Sequence, residues 1–405
     1  MVKPDFVLIL DAHPVEDGRI QKHIRFLQEQ GYAVYHLHFI PYTVDPGVDD
    51  GNYSLFGEKS WHINLNWKIR LKGLRLLNYL LLFSPVLIRK TNHVIRNLGV
   101  PIAANGIIHV HDPILLPLAK KIQGTLLTHS KIVYDRHEVY EDMKRFAGIG
   151  GYRQFEKISA SSVSGVVVVS DGSKDSVAKI FPNAFVQSVP NFPMRSFINE
   201  NKITEKIQNF SKSSSIHCVY IGSLQRNLDR DIELLLHVAE EILTKIPNSQ
   251  FSVGGSCSDN ELLTRFDTLQ KTFPNRFNYL GIVPYSKVVE FTQNTHIGFF
   301  FIKPDTSYWV PCSPNKVFEY LSCGVIPVVR ADCDYRDEMR LGGLFFERDS
   351  DEQVITDAII SLLKNSEEMK KKMELCLDVG SRFKYESVVN NYILLYNSIL
   401  NYQIK

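Results

Sequence analysis

The stretch "YWVPCSPNKVFEYLSCGVIPVV", Tyr308 to Val329, brings a helix-start signal, a basic residue and an acidic residue into one short segment. Ser313 can accept from an orphan backbone N–H as an N-cap, and Pro314 suits the first helical position, where no N–H is needed. Val317, Phe318 and Leu321 recur at helical spacing and predict a core-facing side. Lys316, Glu319 and Cys323 share the opposite stripe, and Gly324 supplies the stop. The free N–H groups and the positive end of such a helix make a site for an anion such as a phosphate. Taken alone, the segment also reads as an ordinary capped helix with a solvated Lys316/Glu319 pair. A second chemical stretch, "IIHVHDPILLPLAKKI", ends an apolar run on His109, His111 and Asp112. Histidine donates or accepts near neutral pH, and His111 stands at the strand end. His109 points to the same side but deeper, as a packed or hydrogen-bonded core residue.

These residues need elements to hold them. Strand-length apolar runs at Phe6 to Leu10, Ala33 to Phe39, Ile107 to Val110, Lys131 to Tyr134, Val166 to Val169 and Phe185 to Val189 alternate with helical patterns at Ile20 to Gln30, Ile114 to Gln123, Tyr152 to Ser161 and Gly172 to Ile180. That alternation predicts a doubly wound parallel sheet. "SVPNFPMRSFINENK" reads as a linker, and the pattern then restarts from His217 to Ile221 and runs through the opening stretch. The predicted fold class is α/β, with two Rossmann-like doubly wound domains facing a cleft where a ligand meets the carboxyl ends of both sheets. The expected domains are residues 1–192, residues 193–384, and a terminal helix over 385–405. That helix carries an apolar stripe at Val388, Tyr392, Leu395 and Ile399, packing back on the first domain.

Composition excludes several classes. The chain has 405 residues, 44% hydrophobic and 22% charged, with a net charge of +2. This is a folded chain with more than one core and no acidic or basic bias toward nucleic acid. The 6 cysteines form no C-x-x-C pair and predict reduced thiols in a cytoplasmic protein, with neither a disulfide framework nor a zinc site. "MVKPDFVLIL" turns polar at Asp11 and reads as a first strand rather than a signal peptide. No G-x-G-x-x-G follows either domain's first strand, which argues against a dinucleotide oxidoreductase. From Lys59 to His111 no acidic residue occurs, while basic residues flank "LLNYLLLFSPVLI". Arg75, Asn78 and Pro85 interrupt this run too often for a spanning helix, which needs about 20 apolar residues. Residues 61–98 read either as a basic amphipathic helix on an anionic membrane surface or as a core helix with solvated flanks.

Seven stretches in order resemble the family 4 glycosyltransferases. Asp17, Arg19 and Lys22 match the D-x-R-x-x-K opening; His111, Asp112 and Pro113 match the strand-end H-[DE]-P; Tyr134, Asp135, His137 and Glu138 match Y-D-x-H-E. "SVPNFP", "VYIGSLQRNLDRDIELLL", "YLGIVPYSKVVEFTQNTHIGFFFI" and "SPNKVFEYLSCGVIPVV" follow. The resemblance implies the GT-B arrangement and retaining transfer from a nucleotide diphosphate sugar to a glycan or lipid-linked acceptor in surface polysaccharide assembly. It implies no bound metal and no further cofactor. The departing diphosphate develops negative charge that preorganised donors must stabilise. The candidates are Arg226, Arg230, Lys316 and the amides of Ser313, Pro314 and Asn315. Glu319 would accept from the ribose, and Gly222, Ser223 and Val283, with the backbone from Ile282 to Pro284, would line the nucleotide. His111 would meet the donor sugar, acting with Glu319 and Arg230. Arg19, Asp112, His137 and Glu138 fall on the acceptor side.

The sequence departs from the family twice. Pro311, followed by Cys312, stands where a glutamate is usual, and Ser223 stands where an arginine is common. Arg226 or Arg230 would take over that charge, Arg230 being favoured because it directly precedes the helical pattern at Asp231. Pro311 leaves open a catalytically silent carbohydrate-binding or scaffold subunit, and a nucleotide-sugar epimerase is the other alternative. The expected location is cytoplasmic, on the inner face of the plasma membrane where residues 61–98 dock.

Overall fold

The computed structural model describes residues 3–13, 17–40, 51–53, 58–64, 84–137, 151–211, 215–226, 229–306 and 313–401. The chain divides into two compact units, Met1–Pro190 with Val388–Lys405, and Asn191–Ser387.

The first unit is built on an 8-stranded sheet of β1 (Phe6–Asp11), β2 (Val34–Ile40), β3 (Gly51–Tyr53), β4 (Lys59–Asn64), β5 (Gly106–Val110), β6 (Lys131–Arg136), β7 (Val163–Val168) and β8 (Phe185–Ser188). The order is β3-β4-β2-β1-β5-β6-β7-β8, parallel except where β3 meets β4. β1 and β5 are buried along their whole length, as apolar strands covered on both faces must be. Register places Ile9 beside both His36 and His109, and Asp11 beside His38. Polar side chains of three strands therefore converge at the carboxyl ends of β1, β2 and β5.

The segment 61–98 is not one helix. Lys59–Asn64 is strand β4, paired with β2 from Tyr35 to Ile40, and among the described residues of the segment the helix covers Pro85–Asn97. Ser84 caps that helix by accepting from Leu87 N–H at 3.2 Å. Leu87, Thr91, Val94 and Ile95 face inward, while Val86, Arg89, His93 and Arg96 are exposed. Alternation through "KSWHIN" carried the strand signal, but the leucine run after it masked the break. No helix among the described residues is long and apolar enough to cross a membrane.

The last helix, Asn390–Asn401, belongs to the first unit, where Tyr392, Leu395, Tyr396 and Ile399 are buried. Its Leu395 lies on Gly165 of β7, and Asn391 donates to the Ser188 carbonyl at 2.8 Å.

The second unit holds a 6-stranded, all-parallel sheet of β9 (Ile216–Ile221), β10 (Ser249–Gly254), β11 (Phe277–Tyr279), β12 (Ile297–Phe301), β13 (Ile326–Arg330) and β14 (Leu344–Phe346), in the order β11-β10-β9-β12-β13-β14. A helix over Glu200–Gln208 occupies part of what reads as linker. Its Lys206 ammonium donates to the carbonyls of Thr295 and Cys323 at 2.7 and 3.0 Å, tying this helix to the sheet.

Candidate active site

In the second unit the helix Asn315–Ser322 begins at the carboxyl end of β12. Its capping differs from expectation. Pro314 is the N-cap, its carbonyl accepting from Val317 N–H at 2.9 Å, and the helix starts at Asn315. Ser313 lies one residue further out, with its hydroxyl oxygen buried and unpartnered. A proline N-cap has no side-chain acceptor, so the first turn keeps its donors for something else.

Val317, Phe318, Tyr320 and Leu321 anchor the helix in the core, leaving Lys316 and Glu319 on the other side. The Lys316 stem runs over Gly222, where a Cβ would meet Lys316 Cε at 2.8 Å and the Tyr220 hydroxyl at 2.9 Å. Glycine at the end of β9 is therefore what admits the lysine. Tyr220 donates to the Ser223 carbonyl at 2.8 Å, which holds the turn that follows. Burial pushes the Tyr220 phenol up to about 12, against the opposing pull of Arg230. Burial also lowers the Lys316 pKa; Glu319 opposes that and Arg230 adds to it. Lys316, Glu319 and Arg230 thus lie within electrostatic reach of one another.

Arg230 packs its guanidinium over the Phe300 ring at 4.7 Å and pairs with Asp229. Its backbone bridges to Ile302 beyond β12, and Lys303 N–H donates to the Asp229 carbonyl at 2.8 Å. Arg226 is placed differently. Its guanidinium meets Asp259 and Glu261 at 3.1 Å each and Glu233 at 3.4 Å, a cluster of carboxylates at the starts of the next two helices. Of the two arginines weighed from the sequence, Arg230 is the one gathered with Lys316. Val283 touches Gly254, and beside it Ile282 is 76% exposed in the turn after Gly281, which adopts φ +64°. Pro311 and Cys312 lie outside the described residues.

The first unit gathers an unusual concentration of buried imidazoles. His23 Nδ1 faces His111 Nε2 at 3.0 Å, and His111 Nδ1 faces His137 Nε2 at 3.1 Å. From the last helix, the Tyr396 hydroxyl lies 3.1 Å from His23 Nε2 and 2.7 Å from His109 Nδ1. Asp135 sits beneath them. Arg19 grips its carboxylate through Nε and a terminal nitrogen at 2.8 to 3.2 Å, and Tyr392 donates to it at 2.9 Å. Burial alone would raise the Asp135 pKa, but Arg19 and then His137 hold it well below the usual carboxylate range. Burial drives His23, His111 and His137 well below the ordinary imidazole value, and His109 below it.

Arg19, read as an acceptor-side residue, is 3% exposed, and another of its terminal nitrogens donates to the Val189 carbonyl at 2.9 Å. Its buried partners are one carboxylate and one backbone carbonyl, so it positions Asp135 inside the unit. Asp112 caps the turn Pro113–Leu115, accepting from Ile114 N–H at 2.9 Å. His137 stacks on His13 at 4.7 Å. Glu138 lies outside the described residues. A neighbouring cluster joins Asp11 to His36, and His38 to His62 at 2.9 Å.

The ligand atoms of His111, Asp135 and His137 are spaced closely enough to surround a cation, as are those of His23, His109 and His111. Asp135, however, already accepts from Arg19 and Tyr392, and a dication there would lie against the Arg19 guanidinium. The donor set fits a hydrogen-bond chain better than a metal centre. Sequence reading missed His23, Tyr392 and Tyr396. Their signals are local: His23 follows Arg19 at i+4, Tyr392 and Tyr396 are also i, i+4, and two H-x-H pairs fall on or just after β2 and β5, the strands either side of β1.

No protein-family description and no curated protein matches the chain. Solved structures do. Sucrose-phosphate synthase from Thermosynechococcus elongatus superposes with a TM-score of 0.71 at 13% identity, over 97% of this chain and 98% of that one. An α,α-trehalose-phosphate synthase (UDP-forming) from Burkholderia vietnamiensis does so at 0.66 and 11%, over 97% and 100%. The fold is GT-B. HepE of Anabaena, in complex with UDP-glucose, has the same GT-B fold, with a TM-score of 0.65 at 10% identity over 97% and 99%. Both GT-B units are thus represented along nearly the full length of each chain.

Proposed function

We propose that the protein is a retaining, metal-independent glycosyltransferase that moves a sugar from a nucleotide diphosphate sugar to a glycan or lipid-linked acceptor. The observation that carries this reading is the start of the helix Asn315–Ser322. There an unpartnered Ser313 hydroxyl, Lys316 laid over Gly222, Glu319 and the nearby Arg230 make a donor-rich group. Such a group suits a diphosphate, with Glu319 as the acceptor for ribose hydroxyls. UDP-glucose in the HepE structure makes a uridine sugar the first donor to try. In this reading the second unit holds the donor at the start of that helix.

The acceptor belongs to surface polysaccharide or glycolipid assembly on the cytoplasmic membrane face. The exposed Val86, Arg89, His93 and Arg96 on the helix Pro85–Asn97 supply a basic side for an anionic leaflet.

A thermal-shift panel of UDP-, GDP- and ADP-sugars tests the proposal. At least one donor is expected to raise Tm, with Lys316→Ala and Glu319→Ala each abolishing the shift. If no donor binds and neither substitution matters, the silent scaffold reading favoured by Pro311 replaces it. Interconversion of the donor sugar without transfer would instead favour an epimerase.

A further inference from the structure

We infer that Tyr396 on the last helix polarises a chain of four buried histidines, so that His109, His23, His111 and His137 each carry their proton on Nε2 and His137 is left with a bare Nδ1, a ready acceptor for a sugar hydroxyl. The last clause rests on the transferase reading; the polarity itself does not.

The argument is a count of hydrogens. A neutral imidazole has one N–H and one lone pair, and a phenol has one hydrogen to give. The contacts run His109 Nδ1 to Tyr396 Oη, Tyr396 Oη to His23 Nε2, His23 Nδ1 to His111 Nε2, and His111 Nδ1 to His137 Nε2. Each contact holds one hydrogen, so the choice at any link dictates all the others. In the forward sense Tyr396 donates to His109, His23 Nε2–H donates to Tyr396, His111 Nε2–H to His23, and His137 Nε2–H to His111. The reverse sense moves every hydrogen to the other partner of its pair.

Asp135 decides between them. In the forward sense the N–H of His109 Nε2 faces Asp135 Oδ2 at 3.7 Å, and that of His137 Nε2 faces Oδ1 at 3.6 Å. In the reverse sense His109 Nε2, fully buried and with no other partner, turns its lone pair on an anion. Only His111 Nδ1, 3.5 Å from Oδ2, would prefer the reverse. The His111–His137 link has one hydrogen and a nitrogen close to Asp135 in either sense, so it does not discriminate; His109 Nε2 favours the forward chain, and Arg19 and Tyr392 keep Asp135 ionised and in place. Among the described residues, His137 Nδ1 has no hydrogen-bond partner, its ring being stacked on His13. Tyr396 is a positioning residue in this scheme, acting on His137 through His23 and His111.

The test is a two-bond 1H–15N spectrum of the full chain with 15N-labelled histidine at neutral pH, which reads the tautomer of each ring directly. Wild type is expected to show all four rings as single Nε2–H tautomers. Tyr396→Phe should lose the single tautomer at His23, His111 and His137. Nδ1–H tautomers at His111 or His137 in wild type overturn the proposal, as does an unchanged spectrum in Tyr396→Phe. If that variant does not fold, the wild-type tautomers alone still decide. Stoichiometric copurified zinc with metal-shifted His111 and His137 resonances would also overturn it, in favour of a metal centre. None of these readouts needs a substrate, so failure of the transferase reading leaves them intact and appears only in the donor panel.

Discussion

At the scale of single residues, the second unit separates two arginines that a linear reading leaves equivalent. Arg226 is occupied by Asp259, Glu261 and Glu233, whereas Arg230 stands within electrostatic reach of Lys316. Arg226→Ala is therefore expected to change donor affinity less than about twofold and stability by less than about 1 kcal/mol, as for exposed ion pairs. Arg230→Ala should weaken donor binding by roughly tenfold or more, the cost of one charge-assisted contact. Titration calorimetry with the donor that the thermal panel selects compares the two. Gly222 makes a sharper point. Its hydrogen leaves room for Lys316, and a methyl group would force the lysine aside. Gly222→Ala should thus lose donor affinity, with some fall in Tm because the methyl group also meets the hydroxyl of buried Tyr220. A Tm collapse with affinity retained would show that Gly222 serves the backbone instead.

At the scale of elements, the last helix is the one whose role least resembles its local sequence. Its amphipathic stripe predicts packing, and Leu395 does lie against Gly165. The same face carries Tyr392 and Tyr396 into the histidine cluster, so the helix both closes the first unit's core and supplies its polar centre. Leu395→Ala should cost about 2–5 kcal/mol in urea unfolding of the full chain, the usual range for a buried leucine. Asp135→Asn should cost about 3–5 kcal/mol, because it leaves the buried Arg19 unpaired. Recovery of most of that loss in the double variant Arg19→Met/Asp135→Asn would show that the pair itself contributes little, whereas an equal loss would show that the uncompensated Arg19 charge is not its cause. The helix Asn315–Ser322 teaches a related lesson. "CSPN" signals a helix start in any context, but only the structure shows that Pro314 takes the cap and frees the Ser313 hydroxyl.

At the scale of the whole molecule, the histidines of the first unit set a pH window. His23, His109, His111, His137 and His38 have lowered pKa values through burial, and His62 is lowered to about 4. Unfolding returns them to about 6.5, so below that pH the unfolded chain binds more protons than the folded one. Their stabilisation is complete above about pH 6.5 and is lost as pH falls toward the folded-state values. His13 works the other way, its pKa raised by Asp112, Asp17 and Asp11 against burial, but it is one group among several. Asp135, lowered by Arg19 against burial, adds a further loss only below about pH 4. The urea midpoint of the first unit's transition is expected to fall steadily from pH 7.5 to 5. A flat profile would mean that these rings are accessible to protons in the folded state.

The division between sequence and structure follows from distance along the chain. Alternating strand and helix periods and the doubly wound class were legible, because each is encoded by neighbours within a turn or a strand. The break inside 61–98 was not, since the leucine run after Asn64 hides a strand whose identity depends on pairing with β2. Nor was the centre of the first unit. His23 and Tyr396 meet across 373 residues, and His109 and Tyr396 across 287. Side-chain periodicity says that each of them is buried or lies on a given face. Which nitrogen meets which hydroxyl is decided only when sheet order brings β1, β5 and β6 together and the last helix closes over them.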